Sequence, residues 1–302
     1  MSVTAITLVC NPETEALHDD LVDEAAALLL ESSDGDEVMR RTLCENVAED
    51  FLIDAKLDRR AAEGVLGNLL AGEPIDMIVQ PAAHRRKRLL VADMDSTIIG
   101  QECIDELADF AGRKAEISAI TERAMRGELN FEEALTERVR MLKGLPERAL
   151  EEAFQTRISL NPGAAALVRT MNKDGATTVL VSGGFTYFVD RVARRAGFLH
   201  WQANELLIED GFLTGEVRPP ILGREAKARA LMSFAEESGA PLAETLAVGD
   251  GANDLDMLAA AGLGVAYRAK PTVAAAADAS IRFGDLTALL YAQGFTLDEF
   301  SS

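Results

Sequence analysis

Apolar positions along the first 82 residues change their spacing several times. Thr4-Ala5-Ile6-Thr7-Leu8-Val9 reads as a strand, because β-branched and apolar side chains suit a pleated, packed surface. From Glu13 to Leu30 the apolar residues recur at helical spacing with an acidic face opposite, the pattern of an amphipathic helix. Asp36–Leu43 and Cys44–Ile53 read as a pair of strands, Arg59–Leu70 as a helix, and Ile75–Val79 as a closing strand ended by Pro81. That order predicts a small α+β domain over residues 1–82.

The pattern then changes. Leu89–Ala92 is a short apolar run that reads as a buried strand, followed by a long helical block from Gln101 to Phe154 with breaks at Gly112, Gly127 and Gly144-Leu145-Pro146. After Asn161-Pro162-Gly163 the strand and helix signals alternate: helix Ala164–Lys173, strand Thr177–Val181, helix Thr186–Ala196 and strand Trp201–Leu207. Glu209-Asp210-Gly211 marks a hairpin turn. Helix Glu225–Ser238, strand Thr245–Val248, helix Leu255–Ala261, strand Leu263–Ala266 and an Ala-rich helix Thr272–Ala279 complete the series. Alternation of this kind predicts an α/β domain over residues 83–302, with a parallel sheet and a helical insertion over about 103–160.

Composition narrows the function classes. A net charge of −20 and a pI near 4.6 argue against nucleic-acid binding, which needs a basic face. The one basic cluster, His84-Arg85-Arg86-Lys87-Arg88, reads as a solvated linker. No apolar run approaches the ~18 residues that would span a bilayer, and Met1–Cys10 lacks the charged start of a signal peptide. Cys10, Cys44 and Cys103 are scattered, which fits a reducing cytoplasm. His18, His84 and His200 are too far apart in the chain to suggest zinc.

Ligands of open α/β sheets bind beyond the carboxyl ends of the strands. Here those ends carry Asp93, Asp95, Ser96 and Thr97; then Ser182-Gly183-Gly184; then Gly249-Asp250-Gly251-Ala252-Asn253-Asp254. Like charges held this close need something positive between them, and an all-oxygen ligand set favours Mg2+. Glycines beside a hydroxyl let backbone N–H groups approach a phosphate. Lys227 is a candidate cation for that phosphate, although by itself it reads more readily as a solvated helix charge.

Asp93-Met94-Asp95-Ser96-Thr97, Val181-Ser182-Gly183-Gly184, Lys227 and Gly249–Asp254 together resemble the four ordered motifs of the haloacid dehalogenase-like phosphohydrolases. Glu102, the segment Arg123–Phe131 and Arg138 extend the resemblance to the phosphoserine phosphatase family within it. The likeness covers roughly residues 88–295. It implies a Rossmann-like core with a helical cap, and the first 82 residues are similar in element order to an ACT-like module. It further implies Asp93 as nucleophile and Asp95 as general acid and base. Mg2+ would be held by the side chains of Asp93 and Asp250 and the backbone carbonyl of Asp95. Ser182, Gly183 and Lys227 would hold the phosphoryl oxygens, with Asn253 a further contact. Asp254 and Thr97 would support the site from behind. In the cap, Glu102 would meet an ammonium and Arg138 a carboxylate, while Met125 and Phe131 shield the reacting centre. The implied partner is the small molecule O-phospho-L-serine, hydrolysed to serine in the last step of serine biosynthesis. A homodimer is compatible with the sequence. Left open are another small phosphorylated metabolite such as phosphohomoserine, a non-catalytic serine sensor, and a protein phosphatase. Removing residues 1–82 is expected to leave the chemistry intact, because no motif lies there.

Overall fold

The computed structural model describes residues 3–33, 37–54, 57–126 and 128–301. The first unit contains β1 (Thr4–Cys10), α1 (Asp19–Ser32), β2 (Val38–Cys44), β3 (Ala48–Ile53), α2 (Arg59–Leu66) and β4 (Ile75–Pro81). Its strands form one antiparallel sheet in the order β2-β3-β1-β4. Ile6, Leu8, Phe51 and Ile53 pack on Val22, Ala25 and Leu29 of α1 and on Ala62 and Leu66 of α2. Strand residues point alternately to opposite faces, and β1 is buried on both. Its other face is covered by the rest of the molecule: Val9, Ala48 and Ile78 share one apolar cluster with Leu286, Leu289 and Tyr291. Helix α1 starts at Asp19 rather than Glu13. The Asn11 side chain accepts the Glu13 N–H and Glu15 adopts a positive φ of 46°, so residues 11–15 form a turn instead.

The second unit continues with β5 (Leu89–Ala92), α3 (Cys103–Phe110), α4 (Lys114–Met125), α5 (Phe131–Arg140), α6 (Arg148–Arg157), α7 (Ala164–Lys173), β6 (Thr177–Phe185), α8 (Thr186–Ala196) and β7 (His200–Asn204). After β8 (Leu206–Glu209) and β9 (Phe212–Val217) come α9 (Arg224–Ser238), β10 (Thr245–Gly249), α10 (Leu255–Ala260), β11 (Leu263–Tyr267), α11 (Pro271–Ala276), β12 (Ala279–Ile281) and α12 (Ala288–Ala292). Six strands make a parallel sheet in the order β12-β11-β10-β5-β6-β7. Strand β5 lies inside it, every residue buried. Leu90 and Ala92 pack with the cluster of α7 and α8, Leu89 and Val91 with that of α9 and α10. Helices α3–α6 occur between β5 and β6, and Ile104 of α3, Thr121 of α4 and Phe131 of α5 line a pocket with Asp93 and Asp95, beyond the carboxyl end of β5.

Three expectations are corrected. The strand expected over Trp201–Leu207 breaks at Glu205, because buried Asn204 bonds Gly183 and Leu222 and turns the chain out of the sheet. Helix Thr272–Ala279 stops at Ala276, and Ala279 opens β12; Asp278 accepts the Gly264 N–H and ties the crossing to the neighbouring strand. The basic cluster is largely not a solvated linker. Arg85 donates to both oxygens of Asp50, at 2.7 and 2.9 Å. Arg86 lies 3.4 Å from the centre of the Phe295 ring and pairs with Glu299. Buried Lys87 donates to the Ala243 carbonyl at 2.9 Å. Only His84 and Arg88 of this run remain mostly exposed, beside Glu244. Among the described residues, no helix is long and apolar enough to cross a membrane.

Candidate active site

The chain leaves β5 with the Asp93 N–H bonded to the Val248 carbonyl at 2.9 Å, so Asp93 continues the register of β10. It then turns tightly. Ser96 adopts φ 57°, and the Ile99 N–H closes the turn on the Met94 carbonyl at 3.0 Å. Left-handed backbone at a residue other than glycine costs about 1–3 kcal/mol, so the surrounding bonds must hold it. The Ser96 hydroxyl makes one of them, donating to Glu102 at 2.6 Å. The turn sends Met94 into the apolar core while Asp93 and Asp95 line a common pocket.

Asp93, Asp250 and Asp254 are buried and each brings a carboxylate oxygen within 4.8 Å of the others. Lys227 is 1% exposed and donates to Asp93 Oδ1 and Asp254 Oδ1, both at 2.6 Å. The solvated reading of this lysine is therefore excluded. Asp254 also accepts the Gly251 N–H at 3.1 Å. Gly249 has no room for a side chain: a Cβ there would sit 2.4 Å from the Asp254 carboxyl carbon. The Thr97 hydroxyl donates to Asp250 Oδ1 at 3.3 Å.

Three clustered carboxylates, two of them bonded to one ammonium, are under electrostatic strain. Burial, then Asp254, push Asp93 well above the ordinary carboxylate range, with Lys227 pulling back. Burial and Asp254 push Asp250 up to about 7. Burial alone would pull Lys227 down, but Asp254 and Asp93 carry it above its ordinary value. The donor set fits a cation: oxygen ligands, excess negative charge and a position at the strand ends.

Asp95 is built differently. Its Oδ1 accepts the Cys103 N–H at 2.8 Å, and its Oδ2 accepts the Ser182 hydroxyl at 3.1 Å. Among the described residues no cation is in hydrogen-bond contact with it, and burial raises its pKa against the pull of those donors. Ser182 Oγ also accepts the Gly184 N–H at 2.8 Å. Gly183 is closed over by the cap: a Cβ there would lie 2.5 Å from the Phe131 ring. Phe131 opens α5, and Asn130 caps that helix by accepting the Glu132 and Glu133 N–H groups.

Glu102 and Arg138 line the same pocket as Asp93, Asp95, Ser182, Gly183, Phe131 and Asn253. Burial, then Asp95 and Asp250, push Glu102 well above its ordinary range. Arg138 is 5% exposed, which excludes a surface-charge reading. The backbone of Met125 ends α4, but its side chain lies outside the described part of the molecule, as does Gly127.

Several pocket residues carry no sequence signal. Thr121 lies in α4 with nothing to separate it from a surface threonine, yet it is buried and accepts a hydrogen bond from Arg138 at 2.9 Å. Asn204 ends β7 and donates to the Gly183 carbonyl at 2.9 Å, fixing the glycine loop from behind. The strand expected over Trp201–Leu207 placed it in mid-strand, so no local signal pointed to this role. Ile104 and Leu135 supply apolar wall.

Residues 90–259 match the haloacid dehalogenase-like hydrolases. The chain is 44% identical over 239 residues to the protein named phosphoserine phosphatase SerB2 of Mycobacterium tuberculosis, covering 78% of this chain and 58% of that longer one. It is 44% identical over 250 residues to a phosphoserine phosphatase of Archaeoglobus fulgidus, covering 81% of this chain and 72% of the relative. Among solved structures, a HAD family hydrolase from Salmonella enterica serovar Typhi superposes with a TM-score of 0.81 at 28% identity, over 96% of this chain and 97% of the other.

Proposed function

The chain belongs to the haloacid dehalogenase-like hydrolases, and we propose that it is a Mg2+-dependent phosphoserine phosphatase that releases L-serine and phosphate from O-phospho-L-serine. The observation that carries this reading is a single pocket in which Asp93 and Asp95 face Glu102 and Arg138. A phosphate chemistry and the two charges needed for an α-amino acid meet there. The family membership and the named relatives point the same way.

Asp93 and Asp250, with the backbone carbonyl of Asp95, would hold the Mg2+, while Asp254 stays engaged with Lys227 and Gly251. Bound there, the ion would neutralise the excess carboxylate charge and polarise the phosphoryl group. The remaining chemistry belongs to the chain. The Asp93 carboxylate attacks phosphorus, the bond from phosphorus to the seryl oxygen breaks, and Asp95 gives that oxygen its proton. Asp95, now ionised, takes a proton from water as the water attacks the aspartyl-phosphate. Phosphate leaves and Asp93 is regenerated. The two acids differ as this requires: Lys227 contacts Asp93, and among the described residues no cation contacts Asp95.

Ser182, Gly183 and Lys227 hold the phosphoryl oxygens, and Asn253 closes the wall beside them. Glu102 takes the serine ammonium and Arg138 its carboxylate. Phe131, seated on Gly183, excludes water from the reacting atoms. We assign the phosphatase chemistry to residues 83–302, with about 103–160 acting as the cap, and residues 1–82 to a supporting ACT-like module. Serine biosynthesis is the process that this chemistry would complete.

The test is phosphate release from O-phospho-L-serine with and without Mg2+, beside an Asp93→Asn control. Mg2+-dependent release that disappears in the control is the expected result. Release from a generic aryl phosphate but not from phosphoserine would keep the chemistry and remove the assigned substrate.

A further inference from the structure

Arg138 reaches the pocket from α5 with little freedom left to it. Its Nε donates to the Ala134 carbonyl of its own helix at 3.1 Å, and Nη1 donates to Thr121 Oγ1 at 2.9 Å. A guanidinium has five N–H donors, so several remain for a ligand in the pocket that Arg138 lines. Thr121 has one hydroxyl proton. Within reach are Asp105 Oδ1 at 2.9 Å and the Ile117 carbonyl of its own helix at 3.1 Å. The carboxylate is the nearer and the charged acceptor, and charge-assisted bonds are about twice as strong as neutral ones. The other oxygen of Asp105 accepts the Ser118 hydroxyl at 2.7 Å.

The direction of this relay follows: Arg138 donates to Thr121, and Thr121 donates to Asp105. Its three members come from three helices. Asp105 lies in the first turn of α3, just after Glu102, which precedes that helix; Thr121 is in α4 and Arg138 in α5. One carboxylate therefore links the helix that begins beside Glu102 to the guanidinium across the pocket. An arginine has rotamer entropy to lose on being fixed. Ordering it before a ligand arrives lowers the cost of binding.

We propose that Thr121, backed by Asp105, is a positioning residue that aims the Arg138 guanidinium and thereby sets the preference for phosphate esters bearing a carboxylate beside the ammonium. This rests on the reading that Arg138 receives the substrate carboxylate. Thr121 acts through Arg138 and takes no part in the transfer of phosphate.

The experiment measures kcat and KM on O-phospho-L-serine and on O-phosphoethanolamine, which keeps the phosphate and ammonium and lacks the carboxylate. Wild type is compared with Thr121→Val, Thr121→Ser, Arg138→Ala and the double variant Thr121→Val/Arg138→Ala. Thr121→Val is expected to raise KM for phosphoserine about tenfold, the equivalent of one lost oriented hydrogen bond, with kcat within about twofold. Its phosphoethanolamine kinetics should stay within the same twofold margin. Thr121→Ser restores the phosphoserine KM, and the double variant is no worse than Arg138→Ala alone. Equal losses on both esters, additive losses in the double variant, or wild-type kinetics in Thr121→Val would each overturn the relay. A wild type indifferent to the carboxylate removes the role of Arg138 and the relay with it. A wild type that prefers a different carboxylate-bearing phosphomonoester sinks the phosphoserine reading alone. The same comparison, made on that ester and its counterpart without the carboxylate, then decides the relay.

Discussion

Two parts of this molecule bury carboxylates, and they do so with opposite accounting. At the joint between the antiparallel sheet and the larger unit, Asp50 is fully buried and accepts two bonds from Arg85 and one from the Thr7 hydroxyl. Asp76, 3% exposed, accepts the N–H groups of Arg282, Phe283 and Gly284. Each charge there is met by donors from the neighbouring unit. At the carboxyl ends of the parallel strands, Asp93, Asp95, Asp250 and Asp254 are all buried, and among the described residues Lys227 is the cation in contact with two of them. Buried charge that is neutralised fastens two units together; buried charge in excess of its counter-charge favours a cation.

The sharpest way to break this contrast is Asp93→Asn. Phosphate release should fall about a thousandfold or more, while the metal-free thermal midpoint stays level or rises because one repelling charge has gone. A variant that keeps its activity would remove Asp93 as nucleophile and dissolve the distinction between the two regions.

Asp50→Ala should do the reverse. It strands Arg85, whose side chain is 12% exposed, and breaking a buried pair costs about 3–5 kcal/mol. Denaturant unfolding should show that loss, with kcat on phosphoserine unchanged in the folded protein. An equal loss of kcat would mean that the joint reaches into the pocket.

Magnesium sharpens the comparison next. Titrating Mg2+ into the metal-free protein should raise stability by about 2.7 kcal/mol at a hundredfold excess over Kd, and a chelator should reverse it. Asp250→Asn should respond far less, and Asp50→Ala should respond as wild type does. An unchanged midpoint in wild type would mean the carboxylate excess has another purpose.

The smallest expected effect is in pH. Metal-free, Asp250 is raised to about 7, so the folded state binds its proton more tightly than the unfolded chain does. That contribution is fully present below about pH 4 and is lost as pH rises through about 7. Lys87 at the joint has the opposite sign. Burial lowers it to about 8, so stability recovers as pH rises from there toward its unfolded value near 10. Unfolding measured across pH should lose the first slope in Asp250→Asn and the second in Lys87→Met. Retention of either slope would assign it to other groups.

The pocket was more legible in the chain than the joint was. Asp93, Asp95 and Asp250 follow short apolar strands, and Ser182 sits in β6 where its pairing with β7 shifts register, so local pattern and the geometry of parallel sheets locate them together. Arg138 and Lys227 were legible only through resemblance to a family, since a helical charge carries the same local pattern whether it is solvated or buried. The joint was misread. Arg85-Arg86-Lys87 looked like a solvated linker, and its partners Asp50, Ala243 and Glu299 lie 35, 156 and 213 residues away in the chain. The expected independence of residues 1–82 has the same weakness, because Val9, Ala48 and Ile78 complete the apolar cluster around Leu289 and Tyr291.

The sequence by itself determined the kinds of element, their order and which carboxylates and hydroxyls follow the parallel strands, because spacing and residue type are local properties. Tertiary structure decided which charges are shared. Only folding sets Lys227 between Asp93 and Asp254, Thr121 behind Arg138 and Asp50 against Arg85. The physical reason is that a charge is worth little in water and a great deal when buried. Burial is a property of everything packed around a residue, and no window along the chain contains it.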